Sequence, residues 1–330
     1  MRAAVCVRAG GPEVLQIREL PVPAVREGWS LVQVKGAGLN RSELRTRQGH
    51  SPNVVFPRVL GIECVGVVAA STDPALPEGT TVAAVMGEMG RDFDGGYEEY
   101  ALLPNPLLMP VATTLPWDIL AALPETYLTA QGSLDALGVV PGVQGRLLIR
   151  GGTSSVGMAA VSIASGLGLE VAATSRRQAR AGALTAAGAD HAFIDDGRSL
   201  AASVHAVWPE GPDHVLDLTG ASTIVDSLHL VRRGGTVCMS GSLSGWSIAD
   251  FQPVAMIPSG TRLTAFHSDS LKGLAGKTVL QRIIGQVEAG AYRPNIDRVF
   301  PLDDIVAAHQ YMEGNQATGK LVVVPQPTLV

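Results

Sequence analysis

From residue 146 onward, short apolar runs alternate with stretches of helical periodicity. Arg146-Leu-Leu-Ile-Arg150 leads into Gly151-Gly-Thr-Ser-Ser-Val-Gly157 and then Met-Ala-Ala-Val-Ser-Ile-Ala-Ser. That order predicts a strand, a tight turn of small residues and a helix. The pattern then repeats, with strands predicted at 170–174, 191–194, 214–218, 236–240 and 262–266. Helices are predicted between them at 178–187, closed by Gly188, and at 200–207 and 222–230. Short apolar strands separated by helices of about ten residues predict a doubly wound parallel sheet covered on both faces, a Rossmann-type α/β fold.

The first 115 or so residues read differently. Val and Ile alternate with polar residues in Leu31-Val-Gln-Val-Lys35 and Cys64-Val-Gly-Val-Val68, among frequent Gly and Pro. This predicts a mainly antiparallel β domain. Pro104, Pro106, Pro110 and Pro116 mark the passage out of it. After Phe266 come a helix at 277–289, a strand near 298–300, a helix at 303–313 and a last strand at 320–324, a tail expected to return to the first domain. The predicted division is 1–117 with 267–330, and 118–266.

Charge and composition narrow the classes. The chain has 330 residues and a net charge of −5, with no basic run that would suit nucleic acid. It lacks an apolar stretch long enough for a membrane span, and its N-terminus runs directly into strand-like Ala3-Ala-Val-Cys-Val7. Cys6, Cys64 and Cys238 lie far apart in apolar settings and read as reduced core residues. A cytoplasmic protein is expected, with neither nucleic acid nor membrane as a partner.

The turn after residue 150 carries candidate chemistry. The N–H groups and dipole at a helix start suit a pyrophosphate. Gly152 and Gly157 fit a G-x-G-x-x-G pattern, whereas Ser154 stands at its middle glycine. Thr153, Ser155 and Val156 complete the candidate phosphate loop. NAD-binding folds of this kind usually place Asp or Glu after the second strand, to bind the ribose 2′-hydroxyl. This chain has Thr174-Ser175-Arg176-Arg177, with Arg180 one turn later. A carboxylate would repel a 2′-phosphate, whereas hydroxyl and guanidinium groups bind one, so NADPH is the expected cofactor.

End to end, the chain resembles the medium-chain dehydrogenase/reductase superfamily, in its zinc-independent quinone oxidoreductase-like, zeta-crystallin-like branch. The resemblance rests on Gly36-Ala-Gly-Leu-Asn-Arg-Ser-Glu-Leu44, Leu60-Gly-Ile-Glu-Cys-Val-Gly66, Asp94-Gly-Gly-Tyr-Glu-Glu-Tyr100 and the Leu128-Thr-Ala130 segment. It continues through the 152–157 loop, Ala187-Gly-Ala-Asp190 and the tail from Val299 through His309 to Gly319-Lys320. It implies a GroES-like catalytic domain beside the nucleotide domain. It also implies a 2′-phosphate shell of Ser175, Arg176 and Arg180, with further cofactor contacts from Asn40, Thr129, Ser240, Gly241, Phe266 and Lys320.

The zinc enzymes of this superfamily hold the catalytic metal with cysteine, histidine and a further cysteine. Here the first two positions are Asn40 and Ile62, the stretch 125–129 has no cysteine, and the four-cysteine lobe is missing. A zinc site needs three such ligands and an open position, so no metal is expected. The quinone oxidoreductases often carry tyrosine where this chain has Arg45, between Arg41 and Arg47, a cluster whose default reading is surface arginines. Asn40, Arg45 and Tyr127 are the candidate catalytic donors; His50 and His267 are further acids to weigh.

The resemblance implies an NADPH-dependent reductase that passes hydride to a quinone or conjugated carbonyl, its partner being a small-molecule electron acceptor. The alternatives are an enoyl-thioester reductase or a non-enzymatic NADPH-binding redox sensor. A homodimer is expected, with the apolar run 251–258 supplying a sheet edge.

Overall fold

The computed structural model describes residues 1–245 and 247–325. They form two compact units: Met1–Leu128 with Ser268–Ala289 and the described residues from Ile296 onward, and Thr129–His267 with Gly290–Asn295. The first boundary therefore falls inside the helix Pro124–Ala136, eleven residues beyond the predicted 117/118 division.

In the second unit, six parallel strands run in the order His191–Ile194, Glu170–Ser175, Arg146–Arg150, His214–Asp217, Thr236–Met239 and Arg262–Ala265. Chain order reverses on either side of the first strand, the switch point of a doubly wound sheet. Leu147, Leu148, Ile149, Val171, Val215 and Val237 are fully buried, as strands covered on both faces require. Helix Ser155–Gly166 buries Met158, Val161 and Ile163 on this sheet. The segment 290–295 belongs to this unit, where the Arg293 N–H donates to Ser162 Oγ at 2.8 Å.

Two expectations change here. The predicted helix at 178–187 begins as a 3-10 turn, Gln178–Arg180, before the α-helix Ala181–Ala186. The run 251–258 is no strand: it holds the short helix Pro253–Met256, with Val254 99% exposed, while Arg262–Ala265 forms the sheet edge. Pro253 at the first helical position favours that turn and cannot donate to a ladder.

The first unit is mainly antiparallel. The long strand Trp29–Leu39 pairs with Glu63–Ser71, Tyr100–Pro104 and Lys320–Val324, and Ile296–Pro301 adds in parallel to the last of these. A smaller sheet joins Leu15–Glu19, Arg2–Cys6 and Arg58–Val59. The tail thus completes the sheet begun at residue 29, which is why the unit is discontinuous. Cys6, Cys64 and Cys238 are free and buried. Among the described residues no helix is long and apolar enough to cross a membrane.

Candidate active site

The phosphate loop is built on its glycines. Gly151 has φ 75°, where a side chain would be strained, and its N–H donates to Thr174 Oγ1 at 3.1 Å. The Gly152 N–H donates to Thr174 O, tying the loop to the end of the neighbouring strand. A Cβ on Gly157 would lie 2.6 Å from the carbonyl oxygens of Gly151 and Gly152, so only glycine lets the helix start this close to the loop. Ser154 is the N-cap: its Oγ donates to Gly151 O and accepts from the Gly157 N–H. Its hydroxyl is spent inside the loop and is no spare phosphate donor. The N–H groups of Ser155 and Val156 precede the first intrahelical bond, which runs from Met158 to Ser154. They are the donors left at the positive end of the helix dipole.

At the end of the second parallel strand, Ser175 is buried, and its Oγ both donates to Arg177 O and accepts from the Arg177 N–H. That bond pair turns the chain so that Arg176 and Arg177 emerge exposed, with Arg180 half-buried a turn later. No carboxylate occupies the stretch 174–180. The glycine cradle and the helix-start donors fit the diphosphate of a nicotinamide dinucleotide.

Farther along the same carboxyl edge lie four predicted residues of this unit, Thr129, Ser240, Gly241 and Phe266. Ser133 Oγ donates to Thr129 O at 2.6 Å and lies 2.7 Å from Ser240 Oγ. The Phe266 ring packs so tightly on Gly132 that a Cβ there would overlap it. Gly241 crosses Leu218 with no room for a side chain. Residues 129, 132 and 133 share one helix face, which explains why they meet the strand ends together.

The first unit holds a second cluster. Asn40 caps the helix Arg41–Arg47, with Glu43 accepting from the Asn40 N–H at 3.0 Å and from the Ile62 N–H at 3.0 Å. The Asn40 side chain is engaged at both ends. Its Oδ1 accepts from Lys320 Nζ at 2.7 Å, and its Nδ2 donates to Glu63 Oε1 at 2.9 Å. Lys320 and Glu63 themselves pair at 2.6 Å, and both are buried. Glu63 Oε2 accepts from the Glu125 N–H at 2.8 Å. Burial pushes the Glu43 carboxyl up to about 7, against the hydrogen bonds from the backbone and the pull of Lys320.

Of the other predicted residues, Tyr127 is buried, Arg45 is half-buried, and His50 and His267 are exposed. The surface reading of the arginine cluster fails at Arg47. That residue is fully buried and donates to His309 Nδ1, Glu313 and Gly10 O. Among the described residues no three His, Cys, Asp or Glu side chains are grouped so as to hold a metal.

Sequence reasoning missed a buried network beneath the nucleotide loops. Arg150 donates to Asp195 and Asp226, and to Ser227 Oγ. Ser227 Oγ in turn donates to Asp217 Oδ2 at 2.7 Å. Asp217 Oδ1 accepts from the N–H groups of Thr219 and Gly220 and from Thr223 Oγ1. The signal was a charged residue, Arg150 or Asp217, directly following the apolar middle of each of two strands.

Comparison with known proteins agrees with this architecture. Residues 26–113 match the family model described as the alcohol dehydrogenase GroES-like domain, and residues 187–323 the one described as zinc-binding dehydrogenase. Human quinone oxidoreductase is 27% identical over 330 residues, covering 98% of each chain. A solved NAD-dependent alcohol dehydrogenase is 28% identical, covers 99% of this chain and 100% of its own, and superposes with a TM-score of 0.85. A mycobacterial protein solved in complex with NADPH is 25% identical, covers 98% and 100%, and has a TM-score of 0.86. The chain belongs to the medium-chain dehydrogenase/reductase superfamily. Within that superfamily it is quinone oxidoreductase-like.

Proposed function

We propose that this protein is an NADPH-dependent, zinc-independent reductase whose acceptor is a quinone or an enone. The observation that carries the reading is the character of the Asn40 site. Where the zinc enzymes of the superfamily begin their metal-ligand set, this chain has an amide locked to a buried ion pair. A bound nicotinamide supplies hydride. Without a Lewis acid, the acceptor must itself spread the negative charge that hydride brings, as quinones and conjugated carbonyls do.

The protein's part is binding and orientation. The N–H groups of Ser155 and Val156 hold the diphosphate, and Arg176 with Arg180 holds the 2′-phosphate. Thr129, Ser240 and Phe266 line the ring's place. In the first unit, Asn40 Nδ2, held by Glu63 and otherwise making only long contacts to Gly38 O and Glu43 Oε1, is the proposed donor to the acceptor's carbonyl oxygen. Water then protonates the α-carbon of the enolate or the charged oxygen of the hydroquinone monoanion. Pairing of two copies along the exposed Arg262–Ala265 edge belongs to the same reading, and light scattering measures it.

The decisive assay follows NADPH oxidation with a benzoquinone and a cyclic enone, with and without a strong chelator. Turnover that ignores the chelator is the expected result. Oxidation of simple saturated alcohols that stops on chelation would overturn the reading.

A further inference from the structure

The buried pair Lys320–Glu63 surrounds a residue with an orientation problem. An asparagine amide presents a carbonyl on one side and an NH2 on the other, and its two flipped forms differ little in shape. At Asn40 the choice is forced. Lys320 Nζ has only hydrogens to offer and takes Oδ1 at 2.7 Å; the Glu63 carboxylate can only accept and takes Nδ2 at 2.9 Å. Reversing the amide would set its NH2 against an ammonium and its carbonyl against a carboxylate. The remaining Nδ2 contacts, to Gly38 O and Glu43 Oε1, are both long at 3.4 Å.

The chain is shaped to keep this arrangement. A Cβ at Gly38 would overlap Glu63 Oε1 and the Lys320 Cε, so the strand leaves that position bare. The Glu125 N–H fixes the second Glu63 oxygen, and Glu43 fixes the Asn40 backbone. A buried ion pair is weak evidence for stability, because desolvation offsets much of its attraction, and this one holds a polar group in a single orientation.

We propose that Glu63 and Lys320 are positioning residues: the ion pair sets the flip of the Asn40 amide and so keeps Nδ2, whose second hydrogen makes only the long contacts to Gly38 O and Glu43 Oε1, as the donor offered to the acceptor's carbonyl oxygen. The proposal rests on the NADPH-dependent reductase reading. It also gives Lys320 a role other than the cofactor contact that family resemblance implies, since its ammonium is buried against Glu63 and Asn40.

The test uses the full chain carrying Lys320→Met and, separately, the double variant Lys320→Met/Glu63→Gln, which removes both charges and leaves no unpaired ion. Three quantities are read: NADPH affinity by fluorescence titration, kcat and KM for the quinone, and the Asn40 side-chain NH2 signals of the cofactor-free protein by NMR. In the wild type the two Asn40 hydrogens should resonate far apart and exchange slowly. In the double variant they should converge and exchange faster, with NADPH affinity unchanged and kcat lower by about 10- to 100-fold at similar KM. A large loss of NADPH affinity with kcat intact would overturn the proposal in favour of a cofactor contact. Unaltered Asn40 signals in a folded double variant would overturn it as well. If the wild type turns over no acceptor, the reductase reading fails while the NMR comparison still decides whether the pair orients the amide.

Discussion

Arg47 donates a hydrogen bond to His309 Nδ1 across 3.1 Å, in an interior where neither residue is exposed. Glu313 neutralises the far side of the guanidinium, and Tyr97 stands edge-on to the imidazole. The histidine must be neutral to accept, so its proton sits on Nε2. Burial, with the arginine's charge adding to it, pushes the His309 pKa down to about 3.

The consequence is acid sensitivity. An unfolded His309 takes up a proton below about 6.5, and the folded one holds out to about 3. Stability from this residue is complete above pH 6.5 and is lost as pH falls toward 3, by about 1.4 kcal/mol per pH unit. Denaturant unfolding at several pH values should show a shallower acid-side decline for His309→Gln than for the wild type. Parallel declines would rule this out.

Glu98 titrates in the opposite sense. It is buried, and burial, reinforced by Asp94 and opposed by Arg58, raises its pKa well above the usual carboxylate range. The folded state keeps a proton that the unfolded chain releases above about 4.5, so this residue costs stability as pH rises. Glu98→Gln should raise the melting temperature at pH 8 more than at pH 5. An equal shift at both would show that the carboxyl's ionisation is not the cause.

Gly157 sets two effects against each other. Alanine in a helix is favoured over glycine by about 1 kcal/mol. Here its Cβ would sit 2.6 Å from two backbone oxygens that cannot rotate away, and overpacking of that kind costs about 1–3 kcal/mol. Steric cost should win. Gly157→Ala is expected to melt lower and to bind NADPH more weakly, as thermal unfolding and fluorescence titration would register.

In the proposed reading, Arg176 and Arg180 carry the choice of cofactor. Removing either guanidinium should weaken NADPH binding by about 1–3 kcal/mol while leaving NADH nearly unchanged. Ser175→Ala should act differently, because that hydroxyl closes the turn on Arg177. Its loss is expected to disturb the turn more than phosphate affinity. Titrations with both cofactors separate these outcomes, and equal losses for NADPH and NADH in the arginine variants would remove the 2′-phosphate shell.

The parallel sheet was legible because the middles of its strands are apolar and separated by helical stretches, and the 191–194 prediction coincides with His191–Ile194; in the first unit the 320–324 prediction coincides with Lys320–Val324. Helix starts were less so: Ile224 begins two residues after the predicted 222, behind Thr223, and Leu274 three residues before the predicted 277. Capping and long-range packing settle such ends, and periodicity does not record them. Arg47 was misread as surface, although Glu43, Leu44 and Arg47 lie on one helical face with a leucine among them. The Lys320–Glu63 pair joins residues 257 apart in the chain. Nothing local announces it, since it exists only because the last strand lies antiparallel to Trp29–Leu39.

The Arg150–Asp217 network bears on how a ligand is received. Asp217 grips the loop after its strand through two N–H groups and a hydroxyl, and Arg150 ties in Asp195 from the loop after His191–Ile194. These crevice loops are thus fastened from below before anything enters. Little ordering entropy remains to be lost on binding, so affinity can come from a modest set of contacts. Cutting the fastening at Asp217 should slow association and leave a broader, less selective mouth.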